Sequence, residues 1–175
     1  MKKIIGLVSS LTIIAAVCAG VLAYVNGVTK DPIARTAAEN ELKAVKAVMP
    51  VGVETVENAT DGVYLGKSAD GKTLGYAAKG KDGGGYGGDI ELMVGFEQDS
   101  KTVVCYKTLK ASETPGLGMK LNTPEFAGQF SQKDGSALKV KKDGGEIEAI
   151  TSATITSRAV CRAIADAQSK LAGVR

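Results

Sequence analysis

The sequence predicts an α+β domain, an antiparallel sheet with flanking helices, preceded by one N-terminal transmembrane helix. Three observations carry that expectation. An apolar run from Ile4 to Val25 follows Met1-Lys2-Lys3 and is long enough to span a hydrocarbon core. Residues 51–108 fall into five short segments rich in β-branched and aromatic side chains, separated by Asn, Asp and Gly, the pattern of an antiparallel meander. From about Ile155 to Leu171 the apolar period becomes helical. The expected organisation is an anchor over 1–30, a juxtamembrane helix over 31–50 and one folded domain over 51–175.

A cleaved signal peptide competes for Ile4–Val25, since a basic start and an apolar run are common to both. The run exceeds the usual length of a signal core, and Val17 makes Ala15-Ala16-Val17-Cys18 a poor lipoprotein cleavage box, so an uncleaved anchor is expected. Lys2 and Lys3 place the N-terminus in the cytoplasm, against a weaker vote from Lys30 and Arg35. The folded domain is then expected on the extracytoplasmic side of the cell (inner) membrane. Asp31-Pro32 has the form of an N-cap with proline at the first helical position, and Ala34, Ala37, Leu42, Val45 and Val48 recur at helical spacing until Pro50. This helix either continues the anchor or packs on its own domain.

The expected strands are Val53–Val56, Val63–Lys67, Leu74–Lys79, Ile90–Phe96 and Thr102–Thr108, with turns at Asn58–Asp61, Asp70-Gly71 and Gln98–Ser100. The glycine-rich Gly80–Gly88 reads either as a flexible connection or as a place where backbone approaches a planar ring. It lacks the GxxxxGK[ST] order of a nucleotide P-loop. Further on, Pro115-Gly116 has the composition of a type II turn, with Leu117 at its apolar tip. Thr123-Pro124 opens a short helix through Phe130, whose Phe126 and Phe130 share a face and read as core. Ala137–Val140 and Glu146–Ile150 are expected as two more strands. In the last helix Ile155, Val160, Ala163, Ile164, Ala167 and Leu171 form the buried stripe, and Gly173 ends it.

Composition narrows the function. Net charge is only +3 and no Lys/Arg run meets an aromatic cluster, so nucleic acid is not an expected partner. Histidine is absent, which removes His triads, His metal sites and His acid–base catalysis. Cys18, Cys105 and Cys161 show no cluster spacing and read as buried apolar fillers, neither a disulfide framework nor a metal site. No catalytic side chain is expected; redox chemistry would come from a cofactor.

The functional reading turns on Thr151-Ser152-Ala153-Thr154-Ile155-Thr156. It opens the last helix, so Thr154 falls on the first turn, where unpaired N–H groups and the positive dipole end suit a phosphate. Ordinary N-capping is the plain alternative. Two motifs shift the balance. The tetrad Thr151-Ser152-Ala153-Thr154 resembles the attachment motif of the FMN-binding domain family, which ends in a flavin-bearing threonine. Ser112-Glu113-Thr114-Pro115-Gly116-Leu117-Gly118 resembles the same family's flavin-contacting loop, with Phe126 and Gln129-Phe130 behind it. With Gly85-Tyr86-Gly87-Gly88-Asp89-Ile90 and Met93-Val94-Gly95 the resemblance spans about residues 50–172. Ser152 stands where glycine is commoner, which argues against a left-handed backbone there.

The resemblance implies FMN held covalently through a phosphoester to Thr154, attached by a separate flavin transferase. It further implies cofactor contacts from Thr114, Gly116, Leu117 and Gly118, with Thr151, Ser152, Ala153, Ile155 and Thr156 flanking the attachment point. Glu113 is expected either near the ring or holding the loop through backbone hydrogen bonds. A short anchored chain with this domain resembles the G subunits of Rnf complexes, relatives of the C subunits of sodium-translocating NADH:quinone reductases. That implies an electron-relaying subunit of a ferredoxin:NAD oxidoreductase that moves ions, partnered by other membrane and peripheral subunits and not an enzyme on its own. The alternatives are a free-standing anchored flavoprotein reductase or such a C subunit.

Overall fold

The computed structural model describes residues 2–60 and 62–173, without the side chains of Lys2 and Lys3. The positive-inside reading of those lysines, and Asp61 of the expected first turn, lie outside the described residues.

Helix α1 is Lys2–Val48 and passes through Pro32. Proline removes one intrahelical hydrogen bond, yet the helix does not restart there, so Asp31 is not a cap. Residues up to Asn40 form one compact unit. Within it Ile5, Leu11, Ile13, Leu22 and Val28 are all exposed. Apolar side chains exposed on every face suit a lipid solvent, and α1 contains a stretch long and apolar enough to cross a membrane.

The second unit begins at Glu41. It is built on five strands, β1 (Thr55–Thr60), β2 (Val63–Lys67), β3 (Thr73–Gly85), β4 (Gly88–Glu97) and β5 (Val103–Lys110). They pair antiparallel in sequence order, the expected meander. Because side chains alternate across a strand, Ile90, Leu92, Val94 and Phe96 enter the larger core, while Met93 enters a smaller one with Ala44, Val45 and Val48 of α1. The larger core is closed by short α2 (Pro124–Ala127) and by the last helix, α3 (Thr154–Leu171). Two glycines let the helices reach the sheet at backbone distance. A Cβ on Gly80 would stand 1.9 Å from Ala163 O, and one on Gly95 would stand 1.8 Å from Val48 O.

Several expectations are corrected. The first strand is Thr55–Thr60 and not Val53–Val56, so Asn58 lies in a strand and not in a turn, and Ile155, expected in the buried stripe of the last helix, is 49% exposed. Gly80–Gly88 is not a loop: β3 runs to Gly85 and β4 starts at Gly88, leaving Tyr86-Gly87 as the hairpin tip. The glycines there reflect close approach more than flexibility. Ala137–Val140 and Glu146–Ile150 are not strands; they meet only in an isolated parallel bridge, Val140 with Ile147. Parallel pairing needs a crossover of a dozen or more residues, and the connection through Asp143-Gly144-Gly145 is too short to extend it. Among the cysteines, Cys161 is buried as expected, and burial pushes its thiol up to about 11, but Cys105 is half-buried and Cys18 lies exposed on α1. Phe126 and Phe130 are core residues, edge to face at 5.3 Å.

Candidate functional site: a cavity at the N-terminus of the last helix

The chain turns sharply before α3. Ala153 N–H donates to Ile150 O (2.9 Å), and Ser152 occupies the left-handed region at φ +62°. The serine expected to disfavour that conformation adopts it, because the surrounding bonds dictate the turn. Ser157, fully buried, accepts from Ile150 N–H (2.9 Å) and donates to Ala153 O (3.0 Å). Sequence reading missed Ser157; only its place one turn into α3 could have signalled the tie.

Helix α3 then begins without a side-chain cap, its N-cap position being Ala153. The hydroxyls of the hexapeptide are therefore not spent on capping, and the three threonines differ in their surroundings. Thr156 is buried and donates to Glu113 Oε2 at 2.8 Å. Thr151 is exposed and lines a separate cavity with Lys120, Phe126 and Gln129. Thr154 is half-buried, and among the described residues its hydroxyl has no hydrogen-bond partner.

Facing this helix start is the loop after β5. Thr114 O accepts from Leu117 N–H (3.2 Å), closing a turn in which Gly116 has φ +75°, as a type II turn requires at its third position. Glu113 is 6% exposed. Its Oε1 accepts from Gly87 N–H at 3.2 Å and its Oε2 from Thr156. One carboxylate thus joins the hairpin tip, its own loop and α3. Glu113 was expected either near the ring or holding the loop through backbone hydrogen bonds; the structure shows one backbone bond, from Gly87, and one side-chain bond, from Thr156, and the side chain also lines the cavity. Gly118 is confined to glycine by this pair, since a Cβ there would lie 2.4 Å from Glu113 Oε2 and 3.0 Å from Thr156 Oγ1.

Between these elements lies a cavity of about 550 Å³, lined by Tyr86, Glu113, Thr114, Leu117, Gly118, Ser152, Ala153, Thr154, Ile155 and Thr156. Gly116 and Thr151 are not in its wall. Tyr86 was not among the expected site residues; its signal was an aromatic alone in a glycine-rich tip. The size falls in the range of cofactor sites, and mostly apolar walls with a few placed polar groups are their usual make-up. An uncapped helix start with unpaired N–H groups adds a place for a phosphate. The residues present fit FMN.

Comparison with known proteins agrees. Residues 85–169 match the FMN-binding domain family, and residues 2–48 match the RnfG N-terminal region. The G subunit of the ion-translocating oxidoreductase complex of Methanosarcina acetivorans is 32% identical over 173 residues, covering 93% of this chain and 92% of its own. The G subunit of the Na(+)-translocating ferredoxin:NAD(+) oxidoreductase complex of Acetobacterium woodii is 31% identical over 174 residues, with 86% and 83% covered. Among solved structures, NqrC of Shewanella oneidensis superposes with a TM-score of 0.51 at 24% identity, over 59% of this chain and 52% of that one, a likeness of fold. The chain belongs to the family of G subunits of ion-translocating oxidoreductase complexes.

Proposed function

We propose that this chain is the electron-carrying subunit of a membrane-bound, ion-translocating ferredoxin:NAD oxidoreductase complex, and that it works through FMN joined by a phosphoester to Thr154. The observation that carries the reading is the placement of Thr154, a half-buried, unpartnered hydroxyl on the uncapped first turn of α3, in the wall of the cavity. FMN, when bound, supplies reversible redox chemistry that no side chain of this histidine-free chain has. The chain's own part is placement. The first N–H groups of α3 would hold the phosphate, Leu117, Ala153 and Ile155 would offer apolar walls, and Thr114 and Ser152 would present polar groups.

A flavin transferase acting on FAD would make the attachment. Thr154 Oγ1 forms a bond to the flavin-side phosphorus of FAD, the hydroxyl proton is lost, the pyrophosphate bond breaks and AMP leaves. A flavin fixed in this way does not depart between turnovers, which suits a relay between neighbouring subunits. In this reading residues 1–30 anchor the chain uncleaved with its N-terminus in the cytoplasm, residues 31–50 form the juxtamembrane helix, and residues 51–175 present the flavin on the extracytoplasmic side.

Intact-mass measurement tests it. Full-length chain from cells holding the transferase is expected to be heavier by FMN less one water, with the addition on the peptide containing Thr154. An unmodified mass, in cells that flavinylate another target, would contradict the reading.

A further inference from the structure

The tip of the β3–β4 hairpin is tied to its neighbours although its tyrosine side chain is left in solvent. Tyr86 is 74% exposed. The hairpin around it, by contrast, is tied at Gly87 and again lower down at Asp82. Gly87 N–H donates to buried Glu113, and a Cβ on Gly87 would stand 1.9 Å from Ser112 O, so the tip is pressed against the loop that forms the cavity wall. Lower in the hairpin, Arg162 of α3 grips Asp82 with two hydrogen bonds of 2.8 and 2.9 Å, and Asp82 accepts from Gly84 N–H at 2.8 Å. Fixing a glycine-rich tip costs conformational entropy. The arrangement places Tyr86 in the lining of the cavity that Thr154 and Ile155 also line.

An aromatic ring on a preset backbone loses little further freedom when a flat, electron-poor ring system lies against it, and offset stacking adds to the apolar burial. We propose that Tyr86 is a flavin-facing residue whose ring covers one side of the isoalloxazine of the group attached at Thr154, and that Glu113, acting through Gly87 N–H, is the positioning residue that keeps it there. This rests on the flavin reading above.

A phenol in contact with an excited flavin quenches its emission by donating an electron that returns in the same contact, so nothing is consumed; phenylalanine does not. The test uses full-length, flavin-loaded protein in detergent. Emission per flavin is expected to rise severalfold in Tyr86→Phe and Tyr86→Leu. Glu113→Ala should raise it in part, whereas Glu113→Gln, whose carbonyl still accepts from Gly87 N–H, should stay dim. Nitration of tyrosines, read peptide by peptide, needs no Tyr86 variant. Tyr86 should react severalfold less in loaded protein than in flavin-free Thr154→Val, with Tyr76 unchanged between them. Equal emission in wild type and Tyr86→Phe, or equal nitration of Tyr86 with and without flavin, overturns the proposal. Wild-type chain that carries no flavin at all would instead overturn the reading on which it rests.

Discussion

Thr156 Oγ1 donates a 2.8 Å hydrogen bond to Glu113 Oε2, and both side chains are buried. The bond spans 43 residues of sequence and joins the first turn of α3 to the loop that faces it. Removing the hydroxyl leaves that carboxylate oxygen buried and short of a partner. Thr156→Val is therefore expected to cost about 1–3 kcal/mol of stability, read as a lower urea midpoint of the detergent-purified chain.

Gly118 and Gly128 make a matched pair of substitutions. At Gly118 a methyl meets Glu113 Oε2 and Thr156 Oγ1, whereas nothing lies within 4 Å at Gly128, whose backbone is helical at φ −63°. Gly118→Ala should lose about 1–3 kcal/mol through overpacking and reduce flavin incorporation. Gly128→Ala should gain about 0.4–1 kcal/mol by restricting the unfolded chain and leave incorporation intact. Urea melts and the flavin-to-protein absorbance ratio check both.

Ser152 sits at φ +62°. A left-handed conformation costs a residue with a Cβ roughly 1–2 kcal/mol, so Ser152→Gly is expected to be neutral or slightly stabilising and to keep the flavin. Ser152→Val is expected to weaken both stability and attachment, because a β-branched side chain resists that conformation most.

The hydrogen-bonded guanidinium of Arg162 holds the Asp82 carboxyl below its ordinary value of 3.8. A carboxyl lowered in the folded state contributes stability above its unfolded value, and the contribution is lost as pH falls through the folded one. The Asp82–Arg162 pair should therefore help stability above about pH 4 and fade below it. Arg162 is 51% exposed, so after solvent screening the pair is worth about 1 kcal/mol or less. Arg162→Gln should lower stability at pH 7 by that amount and lose its effect in acid, measured by urea midpoint against pH.

How much of this was legible in the sequence depends on the range of the interaction. β2 and the meander order follow from local alternation and turn residues, and Thr154 at the start of α3 follows from a period change. What failed was set by distant partners. Gly80 is glycine because α3 lies on it, and Gly87 because Ser112 does, so a stretch that reads as a loose loop is paired strand. Ser152 takes a left-handed turn because Ser157 and Ile150 close it, against the local preference of serine. Glu113 could be seen as a member of a motif, but its two partners, Gly87 and Thr156, lie 26 and 43 residues away. Tyr86 lay in the stretch Gly85–Ile90 that carries part of the family resemblance, but no local signal beyond the glycines around it set its side chain apart.

The relay reading separates from that of an independent reductase by turnover. Full-length chain carrying flavin is expected to show negligible steady-state oxidation of NADH or reduced ferredoxin with soluble quinones, since it has no histidine and no glycine-rich nucleotide fingerprint. Rapid turnover by the chain alone would favour a free-standing enzyme.

The most direct measurement is flavin fluorescence retained by the polypeptide on a denaturing gel, for Thr154→Val beside Thr151→Val and Thr156→Val, each made with the flavin transferase present. Thr151 faces another cavity and Thr156 is buried against Glu113, so both variants are expected to keep at least part of the band. Thr154→Val keeps the side chain's shape without its nucleophilic oxygen and is expected to lose the band entirely. A fluorescent Thr154→Val band that survives denaturation would contradict the account.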